Sequence, residues 1–457
     1  MVSKKKNGIF ALEKPNAIAL ELSRKWLILG IIALAFAGLF AVLLVAARTP
    51  GMQDIMPWRD FFHTALVVHV DLSVLVWLYS FACVIWIYAA NSTSLNYKFQ
   101  FYISAAGVAA IAISPFTGEG NPLMNNYIPV LQNNVFFIGL SLFITGVIVQ
   151  LVFSTIALVK NFQKNILTPQ RIAIMFSAFI AIIAEICFYL SQTQLTSPGV
   201  GELYNPQDFY EKLFWGGGHI LQFVYTTLMV VAWLWMAEVI GLKTLPNKKV
   251  LTPLYVITLA IVLVSPYIYF SADITSFEHI DFFTQQMRFG GGIVALVVGG
   301  YIAFGLVKRN FDKSNIAIKN TLIFSVLLFG AGGILGFLIH GSNVVIPAHY
   351  HGSIVGVTLA FMGLTYYLLP QMGYRKTDGN MARWQPILYG GGQLLHIIGL
   401  AWSGGYGALR KTPGAVQSAE GQTAMGLMGL GGLLSVIGGL LFVIVAYKSI
   451  SSSHHKR

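Results

Sequence analysis

Charge is scarce in this chain of 457 residues: Asp, Glu, Lys and Arg make up 10% of it, against 56% hydrophobic residues. Acids are scarcer than bases, 17 against 29. So little charge cannot cover a soluble domain of this length, which leaves the bilayer as the solvent. Cysteine is almost missing. Cys83 and Cys187 each sit inside an apolar run, and no Cys-x-x-Cys or Cys-x-x-Cys-His occurs. That excludes a disulfide framework and covalent attachment of a c-type haem. The formal charge of +12 is not gathered into a basic patch with interleaved aromatics, which excludes nucleic acid as a partner. There is no repeat of fixed period and no low-complexity linker. Met1 to Arg24 is basic and mixed, without a short apolar core and a small-residue cleavage site, so no cleaved signal peptide is expected.

What the chain has in abundance is apolar runs of bilayer length. They fall near 26–47, 61–89, 99–116, 134–159, 172–190, 214–240, 254–270, 290–307, 322–339, 344–369, 387–402 and 425–447, twelve in all. The fold class expected is therefore all-α integral membrane, with residues 1–25 as an amino-terminal segment, 26–447 as one membrane domain and 448–457 as a basic tail. Lys and Arg alternate from loop to loop as this count requires. With the amino end inside, Lys4, Lys160, Lys164, Arg171, Lys243, Lys248, Lys308, Arg309, Arg375, Lys376 and Arg383 all fall on the inner side. Roughly 23 of the basic residues do so. Both termini are expected in the cytoplasm, and the bacterial inner membrane is the expected location. The opposite loops are short and carry Asp54, Glu119, Glu202, Asp208, Asp273, Glu278, Asp281 and Glu420.

The histidines point to chemistry. His63 and His69 lie on span two, His219 on span six, and His349 and His351 on span ten, three spans that run in the same direction. At about 1.5 Å per residue, His69, His219, His349 and His351 are expected about 8–12 Å below the outer boundary. Imidazole in lipid is costly unless it pairs, lines water or binds a metal. Four at one depth favour a cofactor over separate interhelical hydrogen bonds. In Pro347-Ala348-His349-Tyr350-His351-Gly352 the two histidines, two positions apart on a helix, face about 200° away from each other. They suit two planar cofactors on opposite sides of span ten, and haem iron takes histidine as an axial ligand.

With its twelve spans, His349-Tyr350-His351 near the outer end of span ten, a histidine early in span two and Gly218-His219 early in span six, the chain resembles subunit I of the haem-copper oxidase superfamily, which includes cytochrome c oxidases and nitric oxide reductases. The resemblance covers nearly the whole chain. It implies two haems. His69 and His351 would be the axial ligands of a low-spin haem, with His63 as the rival of the shallower position. His349 would be the proximal ligand of a high-spin haem, and His219 a ligand of a copper or non-haem iron facing it. Arg410 and Lys411 would hold the haem propionates. The implied partners are membrane lipid, further respiratory subunits or a cytochrome c or cupredoxin-type electron donor, and a small gas ligand, oxygen or nitric oxide.

The pattern also fails in places. Span seven should carry two adjacent histidines for the non-haem metal and reads Ser265-Pro266-Tyr267-Ile268-Tyr269-Phe270. His279, beside Glu278 and Asp281, is expected in a solvated acidic loop. The tyrosine position four after His219 is Phe223; Tyr225 and Tyr267, with Tyr269 as a further choice, are the phenols left near the site. Span six lacks the acid and span eight the lysine that many oxidases use to take up protons, so pumping is not expected. Asp71 and Glu185 remain as intramembrane acids, for proton transfer or for interhelical pairing. His396 reads as a hydrogen-bonded core histidine. His340 is followed by Gly341 where the family has an acid, which disfavours magnesium. Three functions stay open: a redox enzyme of the respiratory chain, an oxidase-derived haem protein lacking the copper site and serving electron transfer, gas sensing or haem handling, and a twelve-helix secondary transporter.

Overall fold

The structure, a computed structural model, describes residues 9–47, 61–92, 98–118, 120–162, 168–307, 315–339, 343–405 and 419–452. Its helices are α1 (Ala17–Ala47), α2 (Phe61–Val70), α3 (Trp77–Ala90), α4 (Lys98–Ile113), α5 (Asn134–Phe162), α6 (Pro169–Leu195), α7 (Pro206–Val239), α8 (Lys248–Leu263), α9 (Ile268–Ser271), α10 (Phe277–Gly290), α11 (Ile293–Val307), α12 (Ile316–Phe337), α13 (Val345–Gln371), α14 (Asn380–Gly405) and α15 (Ala419–Ser451). A π-helical turn, Asp71–Val76, joins α2 to α3 in one continuous rod. Two short antiparallel strands, β1 (Pro122–Leu123) and β2 (Val130–Leu131), form a hairpin between α4 and α5.

Among the described residues, eleven helical stretches are long and apolar enough to cross a membrane. The expected span 387–402 lies in α14. Its 26 residues reach about 39 Å at 1.5 Å per residue, but Asn380, Arg383, Gln385, Gln393 and His396 make it less apolar than the rest. The protein is an all-α integral membrane protein.

The chain divides into two compact units. One comprises Leu12–Leu228 and Asn247–Val294; the other comprises Met1–Ala11, Met229–Pro246 and Ala295–Arg457. In the first, α1 and α3 are latched at one end. Asn91 terminates α3 in the left-handed region (φ 46°). Its side-chain oxygen accepts from Asn16 N at 2.7 Å, while Asn16 Oδ1 caps α1 by accepting from Ile18 N and Ala19 N at 3.0 Å. This latch helps to set the register of α1 along the α2–α3 rod.

The second unit is built on a close crossing of α12 and α13. Each carries a Gly-x-x-x-Gly pair, Gly332/Gly336 and Gly352/Gly356. A Cβ on Gly352 would lie 2.5 Å from Gly332 Cα, and one on Gly332 would lie 2.3 Å from Ser353 N. Only hydrogen fits there, so the backbones approach as small-residue crossings allow in lipid. In the same unit, Glu238 near the end of α7 accepts three backbone N–H groups, from Ile9, Phe10 and Ala11 at 2.6, 2.7 and 2.6 Å. Charge-assisted bonds of this kind contribute about 1.5–3 kcal/mol each when intact. Glu238→Ala is expected to release the amino-terminal segment, read as faster proteolysis at residues 9–11 with the membrane core still protected.

One expectation is corrected. The stretch around His279 is not a solvated acidic loop. It is α10, started by Ser276, whose Oγ accepts from His279 N at 3.2 Å. Glu278 in its first turn favours the helix dipole. His279, Phe283 and Gly290 form its buried stripe, with His279 at 1% exposure. Before it, Ser265-Pro266-Tyr267 is a 3₁₀ turn that breaks span seven between α8 and α9, as proline dictates. Gln286 on α10 repairs the break by donating to Ile261 O at 2.7 Å and to Ser265 Oγ at 2.9 Å.

Candidate haem and metal site

His69 sits near the end of α2, and its Nδ1 is 2.8 Å from the carbonyl oxygen of Ala37 on α1. A carbonyl can only accept, so Nδ1 carries the proton and Nε2 keeps its lone pair. Ser73 Oγ donates to His69 O at 2.7 Å, and the π-turn that begins at Asp71 re-aims the residues just beyond; such turns recur at functional sites. The ring of His63 packs on neighbouring Phe62 with centroids 5.1 Å apart. Asp71 is 1% exposed, and neither carboxylate oxygen has a hydrogen-bond partner among the described residues.

In the other unit, His349 packs toward α12. Its Nδ1 is 2.7 Å from Gly332 O, which again leaves Nε2 as the free donor atom. A Cβ on Gly336 would lie 2.8 Å from that Nδ1, so the glycine crossing makes room for the imidazole. His351 faces the other way, toward α14, with its ring 4.6 Å from that of His396. The opposite orientations of the pair are those that helical spacing requires. His396 Nδ1 is 2.9 Å from Met428 O on α15, in keeping with a hydrogen-bonded interior histidine.

His219 lies on α7 at 5% exposure. Its Nδ1 is 2.7 Å from Trp215 O and 2.9 Å from the hydroxyl of Tyr127. The three glycines before it bring aromatic rings against the helix. A Cβ on Gly216 would lie 2.1 Å from the Tyr269 hydroxyl, one on Gly217 would lie 2.4 Å from the Phe188 ring, and one on Gly218 would lie 2.3 Å from the Tyr127 ring. Phe283 packs against three of the surrounding rings, with centroids 6.0 Å from His219, 6.0 Å from Tyr269 and 5.3 Å from His279.

Of the phenols expected near the site, Tyr225 lies about 9 Å farther along α7 than His219. It packs edge-on against Tyr79, centroids 6.1 Å apart, and Tyr79 donates to Glu185 Oε1 at 2.6 Å. Glu185 is thus paired with a phenol across helices. Tyr267 is 71% exposed, whereas Tyr269 is 3% exposed, lies 2.9 Å from Ser191 Oγ and meets the His279 ring edge-on with centroids 4.7 Å apart. Tyr269, rather than Tyr267, is the span-seven phenol brought toward His219. Arg410, Lys411 and His340 lie outside the described residues. Sequence reasoning missed Tyr127 altogether, because a tyrosine in a short loop carries no motif. It misplaced His279, although the spacing of His279, Phe283 and Gln286 is helical.

The donor chemistry fits haem. His69, His219 and His349 each commit Nδ1 to a backbone carbonyl, the arrangement that fixes tautomer and ring orientation in metal-ligating histidines. Among the described residues no three His, Cys, Asp or Glu side chains come close enough together to hold a bare ion. A porphyrin brings four nitrogens of its own and asks the protein only for one or two imidazoles. Copper at His219 does not fit equally well, since His219 is one nitrogen where copper ordinarily takes three.

Comparison with known proteins agrees with this chemistry. The family described as cytochrome c and quinol oxidase polypeptide I matches residues 21–441. An uncharacterised protein of Rickettsia prowazekii (strain Madrid E) is 32% identical over 94% of this chain and 96% of its own length. An uncharacterised protein of Aquifex aeolicus (strain VF5) is 32% identical over 79% of this chain and 88% of its own. Among solved structures, a haem-copper terminal oxidase dimer determined by cryo-electron microscopy superimposes with a TM-score of 0.72 at 17% identity, over 96% of this chain and 84% of that one. That likeness is one of fold. The secondary-transporter reading loses its basis, and what the membrane helices carry is a haem-dependent oxidoreductase scaffold associated with other oxidase subunits or electron donors. The chain belongs to the cytochrome c and quinol oxidase polypeptide I family.

Proposed function

We propose that the protein is a two-haem subunit I of a respiratory oxidoreductase in a bacterial inner membrane, with both termini cytoplasmic, reducing oxygen or nitric oxide. The single observation that carries the reading is the matched anchoring of His69 Nδ1 and His349 Nδ1 on backbone carbonyls at 2.8 and 2.7 Å, which leaves Nε2 of each ring to meet iron. His69 and His351 would together hold a low-spin haem, and His349 a high-spin haem, through their imidazoles. When bound, the haems would supply one-electron storage and an iron for the gas.

The chain's own contribution is orientation and exclusion of water. Gly332 and Ala37 fix two ring planes through their carbonyls. Phe283 and Trp215 pack against the His219 ring, and Phe188 against Gly217 of α7. Arg410 and Lys411 remain the cations proposed for the propionates. A membrane or soluble electron donor of the cytochrome c or cupredoxin type is the proposed partner.

One observation favours a second reading. The 3₁₀ turn Ser265–Tyr267 occupies the place of the absent span-seven histidine pair, and it suits a haem protein without a copper partner that acts in electron transfer, gas sensing or haem handling. Metal analysis of the purified protein separates the two. One copper or non-haem iron beside two haems supports the enzyme; two haems and no third metal support the second reading.

A further inference from the structure

At the start of α7 the helix outruns the hydrocarbon of a bilayer. Its 34 residues extend about 51 Å at 1.5 Å per residue, against about 30 Å of hydrocarbon, so its first turns stand at the level of the lipid head groups. Beside them lies a cavity of about 330 Å³. Tyr204, Lys212 and Trp215 line it from the α7 side, and Ile274, His279 and Ile280 from the segment that opens α10, all within one compact unit. Trp215 Nε1 donates to Ile280 O at 3.2 Å, which ties the two walls together. Phe270 on α9 and Phe277 at the start of α10 are exposed, and aromatic residues of this kind gather where a membrane protein meets the head-group region.

Two lining groups have chemistry still to satisfy. His279 is buried, and neither of its ring nitrogens has a hydrogen-bond partner among the described residues. A neutral imidazole has one N–H to donate and one lone pair to accept with, and buried polar groups are ordinarily paired. Lys212 Nζ lies over the Tyr204 ring, 5.1 Å from its centroid, and among the described residues no carboxylate is paired with it. The acids of the lining are already engaged. Glu211 accepts from Asn126 N and Nδ2, and Asp208 Oδ2 accepts from Asn205 Nδ2 at 2.9 Å.

We propose that this cavity is a head-group site for phosphatidylethanolamine, with Lys212 meeting the phosphodiester and His279 taking both an acceptor and an N–H donor from the head group. The phosphate oxygens accept from the ammonium of Lys212 and from the imidazole N–H, and the lipid's primary ammonium donates to the imidazole lone pair. A choline head group has no N–H to give, so it leaves that lone pair unmet. A glycerol head group leaves the lipid with a net negative charge, which Asp208 and Glu211 oppose. A zwitterion suits a lining that carries both signs. The bound lipid joins the ends of α7 and α10 where Trp215 also packs on His219, centroids 4.7 Å apart. The site does not depend on the assignment of the haems.

Native mass spectrometry of the whole protein, stripped of lipid in detergent and given defined phospholipids, tests this without reference to activity. Phosphatidylethanolamine is expected to be retained as one tightly held lipid, about tenfold more strongly than phosphatidylcholine of the same chains, the equivalent of one charge-assisted hydrogen bond. His279→Phe, which keeps a buried ring, and Lys212→Gln are each expected to abolish that preference, and Lys212→Arg to keep it. Should His279→Phe fold poorly, the Lys212 pair gives the same decision. Equal retention of the two lipids, a stronger hold on phosphatidylglycerol, or a preference that survives in Lys212→Gln would overturn the proposal. Equally tight binding of glycerophosphoethanolamine, the same head group without acyl chains, would overturn it in favour of a soluble phosphate ester. Retention of no lipid at all would overturn it in favour of water as the partner of His279.

Discussion

His351→Ala is expected to remove the low-spin haem spectrum while leaving a haem that still binds carbon monoxide, so that haem content falls to about half, from two groups to one. The expectation follows from the geometry of α13. His351 and His349 leave the helix on opposite flanks, one toward α14 and the other toward α12, so losing one imidazole does not disturb the other's anchor. Among the described residues His396, with its ring 4.6 Å from His351, is the imidazole that could compensate. Its Nδ1 is tied to Met428 O on α15. His351→Ala and the double variant with His396→Phe are therefore expected to give the same spectrum. Loss of both haems from a protein that still elutes as a monodisperse species would contradict the assignment, as would a low-spin signal that survives in His351→Ala and disappears in the double variant.

Gly352→Val is expected to be strongly damaging to the second unit. Its Cβ would fall 2.5 Å from Gly332 Cα and 2.8 Å from Gly332 N, and backbone cannot yield as the end of a flexible side chain can. Overpacking of this kind costs about 1–3 kcal/mol in ordinary cores, and the value here should exceed about 3 kcal/mol because two helices must part along their whole crossing. Gly333→Ala, one residue from the crossing point and with open space where its Cβ would go, is the control, expected within about 0.5 kcal/mol of the parent. Thermal denaturation followed by size-exclusion chromatography reads both. The valine variant should also lose the His349 ligand, since His349 Nδ1 is held by the carbonyl of Gly332 itself. Equal melting of the two variants would show that the crossing is not tightly packed.

The fold was legible because lipid imposes so few options. Apolar runs located the spans, and the alternation of Lys and Arg gave their count an independent footing. The break in span seven at Pro266 was not anticipated, since 254–270 was expected as one unbroken run. The same reading failed between 271 and 289, where Asp273, Glu278 and Asp281 suggested a solvated loop. There Asp273 precedes a capped helix that carries Glu278 and Asp281, and His279 and Phe283 line its buried side. A polar face and a buried face on one short helix look like a loop when charge is counted without periodicity.

The candidate site was legible where a residue carries chemistry on a regular helix. The opposed directions of His349 and His351 follow from spacing alone. Choosing between Tyr267 and Tyr269 did not, because the 3₁₀ turn at Pro266 resets which side chain points inward. Tyr127 was invisible for another reason. Its contact with His219 depends on a hairpin held against α7 by Glu211 and Gln207, partners 85 and 83 residues distant in the chain from those they bind. Neither hydrophobic pattern nor local motif encodes such a contact. The glycines of α12 and α13 were present as Gly-x-x-x-Gly pairs, but only packing shows that they set the distance from His349 to its carbonyl.

The most direct test of the whole account is the haem content of the purified protein, measured by its absorption spectrum in the Soret region and by extraction as the pyridine complex. Two haems per chain are expected, one low-spin and one able to bind carbon monoxide. A folded protein with no Soret absorbance, even after expression with ample haem, would contradict the account at its centre.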